Sequence, residues 1–136
     1  MTLTDTGPLV ALINRNDPNH VRCTAASRLL PQGPLVTSWP CFTEAMYLLQ
    51  RAAGHDGQAA LWRWRSGGRL ILLDLTADEV DRMAELMAKY KDRPMDLADA
   101  SLVVAAERLG VRRIFSLDRD FHIYRLSDGT ALEPLP

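Results

Sequence analysis

Apolar residues fall along this chain in short runs, separated by longer stretches in which apolar and polar residues recur with helical spacing. Short apolar runs bounded by turn residues predict strands. By this criterion the strands are Thr2 to Asp5, Leu35 to Ser38, Leu70 to Leu75 and Arg113 to Leu117, with a small fifth strand near Ala131. The third run is rich enough in Leu and Ile to predict a buried strand.

The longer stretches predict helices whose ends carry recognisable signals. Asp17-Pro18 is typical of an N-cap followed by proline at the first helical position, and Thr76 to Glu79 has the form of a capping box. The predicted helices are Leu9 to Ile13, Asp17 to about Leu30, Pro40 to Gly54, Gln58 to Arg65, Thr76 to Tyr90 and Asp96 to Gly110.

The order of these elements indicates the fold class. Strands that alternate with helices of this length are typical of parallel β–α units. We therefore predict an α/β fold in which helices cover a central, mainly parallel sheet. No internal repeat, low-complexity segment or interdomain linker interrupts the pattern, so a single domain over residues 1–136 is expected.

The composition adds little to this picture. Hydrophobic residues make up 47% and charged residues 24%, as in ordinary globular proteins. No apolar run approaches the roughly 18 residues of a membrane span, and no signal peptide is recognisable, so a cytoplasmic protein is predicted. Cys23 and Cys41 are too few for a disulfide framework or a zinc site. The net charge of −1 argues weakly against general nucleic-acid affinity, unless several acids bind a cation.

Acidic residues follow the predicted strands at one edge of the sheet. Asp5 and Asp118 stand at the carboxyl ends of the first and fourth strands, and Glu44 and Asp99 near the starts of helices that begin at the same edge. Sites form at this edge in open parallel sheets. Carboxylates suit Mg²⁺ or Mn²⁺. The pattern therefore predicts a metal-dependent phosphodiesterase, and Asp74, also near a strand end, stays an open candidate.

Asp99 is the most informative of these acids, because it shares a helix face with apolar residues. Leu102, Val103, Ala106 and Leu109 follow it at the spacing of a core-facing stripe. Desolvation of a carboxylate at such a position costs on the order of several kcal/mol. Pairing with a base or binding to a metal offsets this cost. The stripe contains no Lys or Arg, which favours a metal.

Each carboxylate also has a purely structural explanation. Asp96 fits a helix N-cap, with Asp99 as its partner at the third helical position. Asp5 fits a turn or helix cap, Glu44 a surface position favoured by the helix dipole, and Asp118 a solvated loop. Taken singly these explanations compete with the metal site, and it is the convergence of the four acids that favours the site.

Four segments of the chain carry a resemblance to a known family. They are Asp5-Thr6-Gly7-Pro8-Leu9-Val10-Ala11-Leu12, Thr43-Glu44-Ala45, Asp99-Ala100-Ser101-Leu102-Val103-Val104-Ala105-Ala106 and Phe115-Ser116-Leu117-Asp118-Arg119-Asp120-Phe121. The order and spacing of these segments cover nearly the whole chain. In them the sequence resembles the PIN-domain ribonucleases, including the VapC-like toxins of toxin–antitoxin pairs. Gly7-Pro8 departs from the usual form of the first motif.

The resemblance implies a PIN-like three-layer α/β/α sandwich and a Mg²⁺- or Mn²⁺-dependent endoribonuclease acting on RNA. It also implies a cognate antitoxin as partner, a homodimer and no membrane association. A toxin is preferred because the chain is little more than a catalytic domain. A PIN-like RNA- or protein-binding module without cleavage activity, and a non-toxin RNA-processing nuclease, are the alternatives, and neighbouring genes would distinguish a toxin from a processing nuclease.

The resemblance also assigns residues. The catalytic positions fall on Asp5, Glu44, Asp99 and Asp118. Asp5, Asp99 and Asp118 are expected to bind the metal, and Glu44 either binds it or acts as base for the attacking water. Thr6, Ser116 and Asp120 fall on positions expected to support the acids, and Asp96 is a further acid that the resemblance does not assign and that we keep as a supporting candidate.

Basic and aromatic residues are the candidates for holding RNA. For phosphate contacts they are Arg15, Arg119 and Arg125, and for base stacking Trp39, Trp62 and Trp64. Each of these residues also fits an ordinary surface, core or interface position. Trp62 and Trp64 cannot both face inward on one helix.

Two other protein classes share part of the pattern. Asp5-Thr6-Gly7 matches the aspartic-protease signature, but that fold is almost wholly β, whereas this chain is mostly helical by pattern. A phosphoacceptor receiver domain has clustered acids on an α/β fold, yet it requires an acidic pair after the first strand and a Lys near the end of the last. Lys89 and Lys91 are the only lysines, and they precede Asp99.

Overall fold

The computed structural model describes residues 1–136 as five strands and five α-helices. The strands are β1 (Thr2–Thr4), β2 (Leu35–Ser38), β3 (Leu70–Leu73), β4 (Arg113–Phe115) and β5 (Glu133–Leu135). The helices are α1 (Thr6–Ile13), α2 (His20–Ser27), α3 (Trp39–Ser66), α4 (Ala77–Lys89) and α5 (Leu97–Leu109). A short 3-10 helix, Arg119–His122, follows β4.

All five strands are parallel and lie in the order β3-β2-β1-β4-β5. Leu3 in the central strand β1 pairs with Val36 of β2 on one side and Ile114 of β4 on the other. The chain builds the sheet outward from β1 to β3 and then returns to place β4 beside β1. The strand order therefore reverses between β1 and β4, where crevices for ligands form at the carboxyl edge of a parallel sheet.

Two hydrophobic cores lie on opposite faces of the sheet. On one face α4 and α5 pack against Leu3 and Ile114. On the other, α1, α2 and α3 pack against Leu35, Leu70 and Phe115. The α/β class and the three-layer α/β/α arrangement expected from the sequence are confirmed. No helix is both long enough and apolar enough to cross a bilayer.

Most of helix α5 is buried. Every residue from Ala100 to Ala106 is buried, because the helix lies between the sheet and α4. Its N-cap is Asp96 and it ends at Gly110, whose φ of 66° is the left-handed conformation that glycine adopts without strain. Both predicted ends of this helix are confirmed.

Two helix starts differ from the sequence prediction. Helix α2 begins at His20, not at Pro18, because the carboxylate of Asp17 accepts a hydrogen bond from the backbone N–H of Asn19 at 2.8 Å and closes a turn. Helix α1 begins at Thr6, earlier than predicted, because Asp5 acts as its N-cap. The capping box of Thr76 and α4 is confirmed.

Two strand predictions were wrong in detail. The third strand ends at Leu73, and it is an edge strand rather than a buried one: Ile71 is 42% exposed although Leu70 is buried. The fifth strand lies at Glu133–Leu135, because Ala131 instead forms an isolated antiparallel bridge with Arg125.

The two helices predicted around Gly54 meet without a loop. Gly54 has φ 61° and ψ −154°, which no residue with a side chain adopts readily, and helical structure resumes directly after it to complete α3. The predicted interruption at Gly54 is confirmed, but the second helical piece begins before Gln58.

The burial of α5 predicts a large stability difference between two leucines of the same helix. Leu102 is 0% exposed and Leu97 is 53% exposed. We expect Leu102→Ala to lower the free energy of unfolding by about 2–5 kcal/mol, because it leaves a cavity. The matched change Leu97→Ala should cost less than about 1 kcal/mol. Urea unfolding followed by circular dichroism measures both, and equal losses would contradict this packing.

Candidate metal centre

Asp5 lies where β1 ends, at the point where the strand order reverses. Its carboxylate accepts the backbone N–H of Thr6 at 2.7 Å and the hydroxyl of Ser116 at 2.7 Å, and the residue is only 9% exposed. Burial raises the pKa of Asp5 to about 6; the two hydrogen bonds lower it, and the charges of Asp118 and Glu44 raise it further. Asp5 is thus a buried acid with other acids nearby.

Asp99 occupies the third position of α5 and belongs to a capping box. Its backbone N–H donates to Asp96 Oδ1 at 2.7 Å, and the backbone N–H of Asp96 donates to Asp99 Oδ2 at 3.4 Å. The capping role is therefore present, but it leaves the carboxyl in an unfavourable environment. Burial and the charge of Asp96 raise the pKa of Asp99 to about 7, with smaller contributions from Asp5 and Asp118.

Ser116 connects Asp5 to the segment that carries Asp118. The Ser116 hydroxyl donates to Asp5 Oδ2 and accepts the backbone N–H of Asp118 at 3.0 Å. Asp118 Oδ1 in turn accepts the backbone N–H of Asp120 at 2.9 Å and caps the 3-10 helix. A side chain that donates to one acid and accepts from the backbone of the next holds the ends of β1 and β4 in register.

Glu44 lies in the second turn of α3 and is the most exposed of the four acids. Partial burial and the charge of Asp96 raise its pKa, while the hydroxyl of Thr6 lowers it. The Thr6 hydroxyl also donates to the Cys41 carbonyl at 3.3 Å, which joins the start of α1 to α3. Glu44 therefore borders the same site from the α3 side.

The charges of Asp118 and Glu44 act on Asp5, and those of Asp5 and Asp118 act on Asp99, since they are among the causes of the raised pKa values. No three Asp, Glu, His or Cys side chains converge closely enough to hold an ion directly between them. Mg²⁺ does not require such convergence, because it keeps several waters and is held through one or two carboxylates. The donor set is entirely carboxylate oxygen, which fits a hard divalent cation.

Cys41 lies beneath this site without adding a soft ligand. Its thiol is 3.9 Å from Asp5 Oδ1 and 3.8 Å from the Ala98 carbonyl. Burial, and secondarily the charge of Asp5, raises the pKa of Cys41 to about 12, so the sulfur stays protonated. The thiol therefore fills space between β1 and α5 rather than offering a thiolate to a metal.

Tyr124 is a site residue that the sequence analysis missed. Its hydroxyl donates to Asp99 Oδ2 at 3.2 Å, and the residue is 1% exposed. Edge-on contacts with Tyr90 and Phe121, at 5.1 and 5.6 Å between ring centroids, hold its ring in place. Burial and the charge of Asp99 raise the pKa of Tyr124, so it remains a donor. No acidic motif or periodicity marked this position.

A pair of buried serines was also missed. The hydroxyls of Ser38 and Ser101 lie 2.6 Å apart, and Ser101 donates to the Ala98 carbonyl at 2.6 Å. Ser38 caps α3 and Ser101 belongs to α5, so this contact ties together the two helices that carry Glu44 and Asp99.

The basic candidates differ in their distance from the acids. Arg119 is exposed directly beside Asp118 and makes no ion pair. Arg15 lies beyond the far end of α1, and the eight residues of that helix place it roughly 12 Å along the axis from Asp5. Arg125 donates to the carbonyls of His122 and Ile123 at 2.8 and 3.1 Å, so its guanidinium is used within its own loop.

The raised pKa values predict how stability varies with pH in the absence of divalent cations. Asp5 and Asp99 hold their protons more tightly when folded than when unfolded. Their contribution is therefore complete below about pH 4 and is lost as the pH rises through about 6 to 7. We expect Asp99→Asn to gain stability relative to wild type over this range, measured by urea unfolding in EDTA.

The control for this experiment is Asp81→Asn, which removes an exposed carboxylate from α4. The difference in free energy of unfolding between Asp81→Asn and wild type should not increase with pH as it does for Asp99→Asn. A stability difference between Asp99→Asn and wild type that stays constant from about pH 4 to about pH 8 would show that Asp99 does not titrate as described.

Comparison with known proteins agrees with this geometry. The model of the PIN domain family matches residues 2–126. Ribonuclease VapC26 of Mycobacterium tuberculosis is 33% identical over 117 residues, which cover 85% of this chain and 84% of the relative.

Solved structures share the fold. VapC20 of Mycobacterium tuberculosis, a sarcin–ricin loop cleaving toxin, superposes with a TM-score of 0.84 at 23% identity and covers 100% of both chains. A toxin–antitoxin complex from Klebsiella pneumoniae gives a TM-score of 0.68 at 18% identity, covering 89% of this chain and 90% of that one. At these identities the structures support the fold alone, whereas the family match and the VapC26 relative extend to the sequence. The chain therefore belongs to the PIN-domain family and, within it, to the VapC ribonucleases.

Proposed function

We propose that this protein is a Mg²⁺- or Mn²⁺-dependent endoribonuclease that hydrolyses RNA phosphodiester bonds, and that it is the toxin of a type II toxin–antitoxin system. One observation carries the proposal: Asp5 and Asp99 are acids with raised pKa values, and neither has a basic partner. A buried and a half-buried acid without a counter-charge fit a site that is completed by a cation.

The roles of the acids follow from their surroundings. Asp5 and Asp99 would hold the ion, with Asp118 binding it directly or through water, and the divalent cation would supply a water of lowered pKa and stabilise charge on the attacked phosphate. Glu44 is exposed at the rim of the site, where it binds the ion through water or accepts the proton of the attacking water. Asp120, two residues beyond Asp118, adds negative charge to the same side.

The supporting residues orient the acids. Ser116 and the backbone of Thr6 both donate to Asp5, one to each carboxylate oxygen, so the carboxylate cannot rotate freely. Asp96 binds the backbone of Asp99 and fixes the start of α5. Such contacts orient metal ligands, and their loss typically costs on the order of 10–100-fold in metal affinity or activity.

RNA would be held by its phosphates beside the acids. Arg119 is a candidate phosphate contact, since its side chain is exposed, makes no ion pair and follows Asp118 directly in the chain. Arg15 lies at the other end of α1 and would contact a phosphate further along the strand. Contacts of this kind position the backbone without reading its sequence.

The expected partners are a cognate antitoxin and a second copy of the chain, and the expected compartment is the cytoplasm, where cellular RNA is the substrate. Support for the antitoxin comes from relatives of the same fold: the Klebsiella pneumoniae structure is a toxin–antitoxin complex, and VapBC2 from Rickettsia felis was crystallised on a DNA fragment from its promoter.

Cleavage of a labelled RNA pool by the purified protein tests the nuclease. We expect cleavage in Mn²⁺ or Mg²⁺, none in EDTA, and a loss of more than about 100-fold in Asp99→Asn, because that change removes a charged ligand. The matched change Asp81→Asn, on exposed α4, should retain wild-type activity. Cleavage that survives Asp99→Asn would mean a contaminating nuclease or a different site.

Tyr124→Phe tests whether the Asp99 environment sets metal affinity. The substitution removes the hydroxyl that donates to Asp99 Oδ2 and keeps the ring that packs on Tyr90 and Phe121. We expect Mn²⁺ affinity, measured by electron paramagnetic resonance on the metal-free protein, to fall roughly 10–100-fold. Tyr47→Phe, an exposed tyrosine on α3, is the matched control. Unchanged Mn²⁺ affinity in Tyr124→Phe would remove Tyr124 from the site.

A further inference from the structure

We propose that Trp39 is the stacking platform for one base of the RNA substrate, in a cleft that opens beside the carboxylates. The inference rests on the proposed function and goes beyond it, because it assigns a nucleobase subsite and a base preference. Aromatic side chains bind unstacked bases in single-stranded RNA in this way.

The cleft has a volume of about 730 Å³ and lies between the starts of α3 and α5. Trp39, Thr43 and Tyr47 follow one another at intervals of four residues and form the α3 wall. Asp96 and Leu97 form the opposite wall. Trp39, Tyr47 and Leu97 are 45%, 59% and 53% exposed, so the cleft presents aromatic and apolar surface to solvent.

The ring of Trp39 is held in a fixed orientation. Its indole N–H donates to Asp74 Oδ1 at 3.0 Å. Its ring and that of Phe42 form a T-shaped pair, with centroids 5.7 Å apart and ring planes 80° apart. Two contacts of different kinds hold the indole, so it loses little side-chain entropy when a base stacks on it. Asp74, an open candidate by sequence, thereby acquires a role in positioning Trp39.

The cleft is continuous with the proposed catalytic site. Glu44, one of the four acids, lines it, and Asp96 on the other wall is hydrogen-bonded to the backbone of Asp99. Glu44 and Asp96 line the same cleft from its α3 and α5 walls. A nucleotide next to the scissile phosphate would therefore reach this cleft.

The charge of the cleft selects the part of the nucleotide that enters it. No Lys or Arg lines the cleft, and Glu44 and Asp96 repel phosphate. An uncharged base is not repelled. Asp96 binds the backbone of Asp99 through Oδ1 alone, so its second oxygen is free to accept a hydrogen bond. Adenine, cytosine and guanine carry amino groups that donate to carboxylates, whereas uracil has none. The cleft therefore favours an amino-bearing base over uracil.

The experiment compares three variants in an Asp99→Asn background that binds RNA without cutting it. Trp39→Ala removes the platform and Trp39→Phe keeps an aromatic ring. Trp62→Ala is the matched control, because Trp62 is also half exposed, at 48%, and also meets Phe42 edge-on, at 5.0 Å, but does not line the cleft. Fluorescence anisotropy with labelled single-stranded oligoadenylate, oligocytidylate and oligouridylate gives each Kd.

We expect Trp39→Ala to raise the Kd for oligoadenylate roughly 5- to 150-fold, the range for loss of one stacked base, with a smaller rise in Trp39→Phe and none in Trp62→Ala. Oligouridylate should bind more weakly than oligocytidylate to the protein that keeps Trp39. The salt dependence of binding should be unchanged in Trp39→Ala, because no phosphate contact is lost.

Equal effects of Trp39→Ala and Trp62→Ala, or a reduced salt slope in Trp39→Ala, would overturn the subsite. So would weakened self-association in Trp39→Ala with unchanged RNA affinity, since Trp39 would then belong to a protein interface. Circular dichroism of each variant shows that the fold is intact, and Mn²⁺ binding of the same Trp39 and Trp62 substitutions made with Asp99 present shows that the acids are undisturbed. Metal-dependent cleavage by the wild type is measured separately, so failure of the nuclease is distinguishable from failure of the subsite alone.

Discussion

The hydrogen bond from Ser116 to Asp5 is the contact on which the arrangement of the site depends. Its donor and acceptor oxygens are 2.7 Å apart, although the two residues are separated by 111 positions in the sequence. The bond joins the ends of β1 and β4, the two strands between which the strand order reverses. The same hydroxyl accepts the backbone N–H of Asp118, so one small side chain sets two acids relative to each other. The parallel sheet makes this possible, because it delivers both strand ends to one edge.

The fold and the placement of Asp5 and Asp118 at one edge of the sheet were predictable because both follow from local patterns. Asp5 and Asp118 directly follow apolar runs, and parallel strands place such positions at a common edge. Asp99 was marked by the apolar residues after it, and α5 buries those residues. Capping signals at Thr76 and Asp96 depend on contacts three residues apart, which a sequence displays directly.

What escaped prediction depends on contacts between distant segments. Tyr124 and the serine pair act through partners 25 and 63 residues away, and nothing in their own neighbourhoods distinguishes them from ordinary core positions. The exposure of Ile71 follows from the place of β3 at the edge of the sheet, which depends on strand order rather than on the strand's own residues. Asp17-Pro18 was predicted to begin a helix, but it forms a turn before α2, because Asp and Pro are favoured in turns as well as at helix starts.

The raised pKa values of Asp5 and Asp99 couple the site to its surroundings. The proposed cation would be bound by Asp5 and Asp99 only when their carboxyls are ionised, and the raised pKa values of both residues favour the protonated form. Loading the site would therefore exchange protons for a cation. Acidification and a shortage of the free ion would act in the same direction, so a modest fall in pH around the protein would have the effect of a fall in the concentration of the ion.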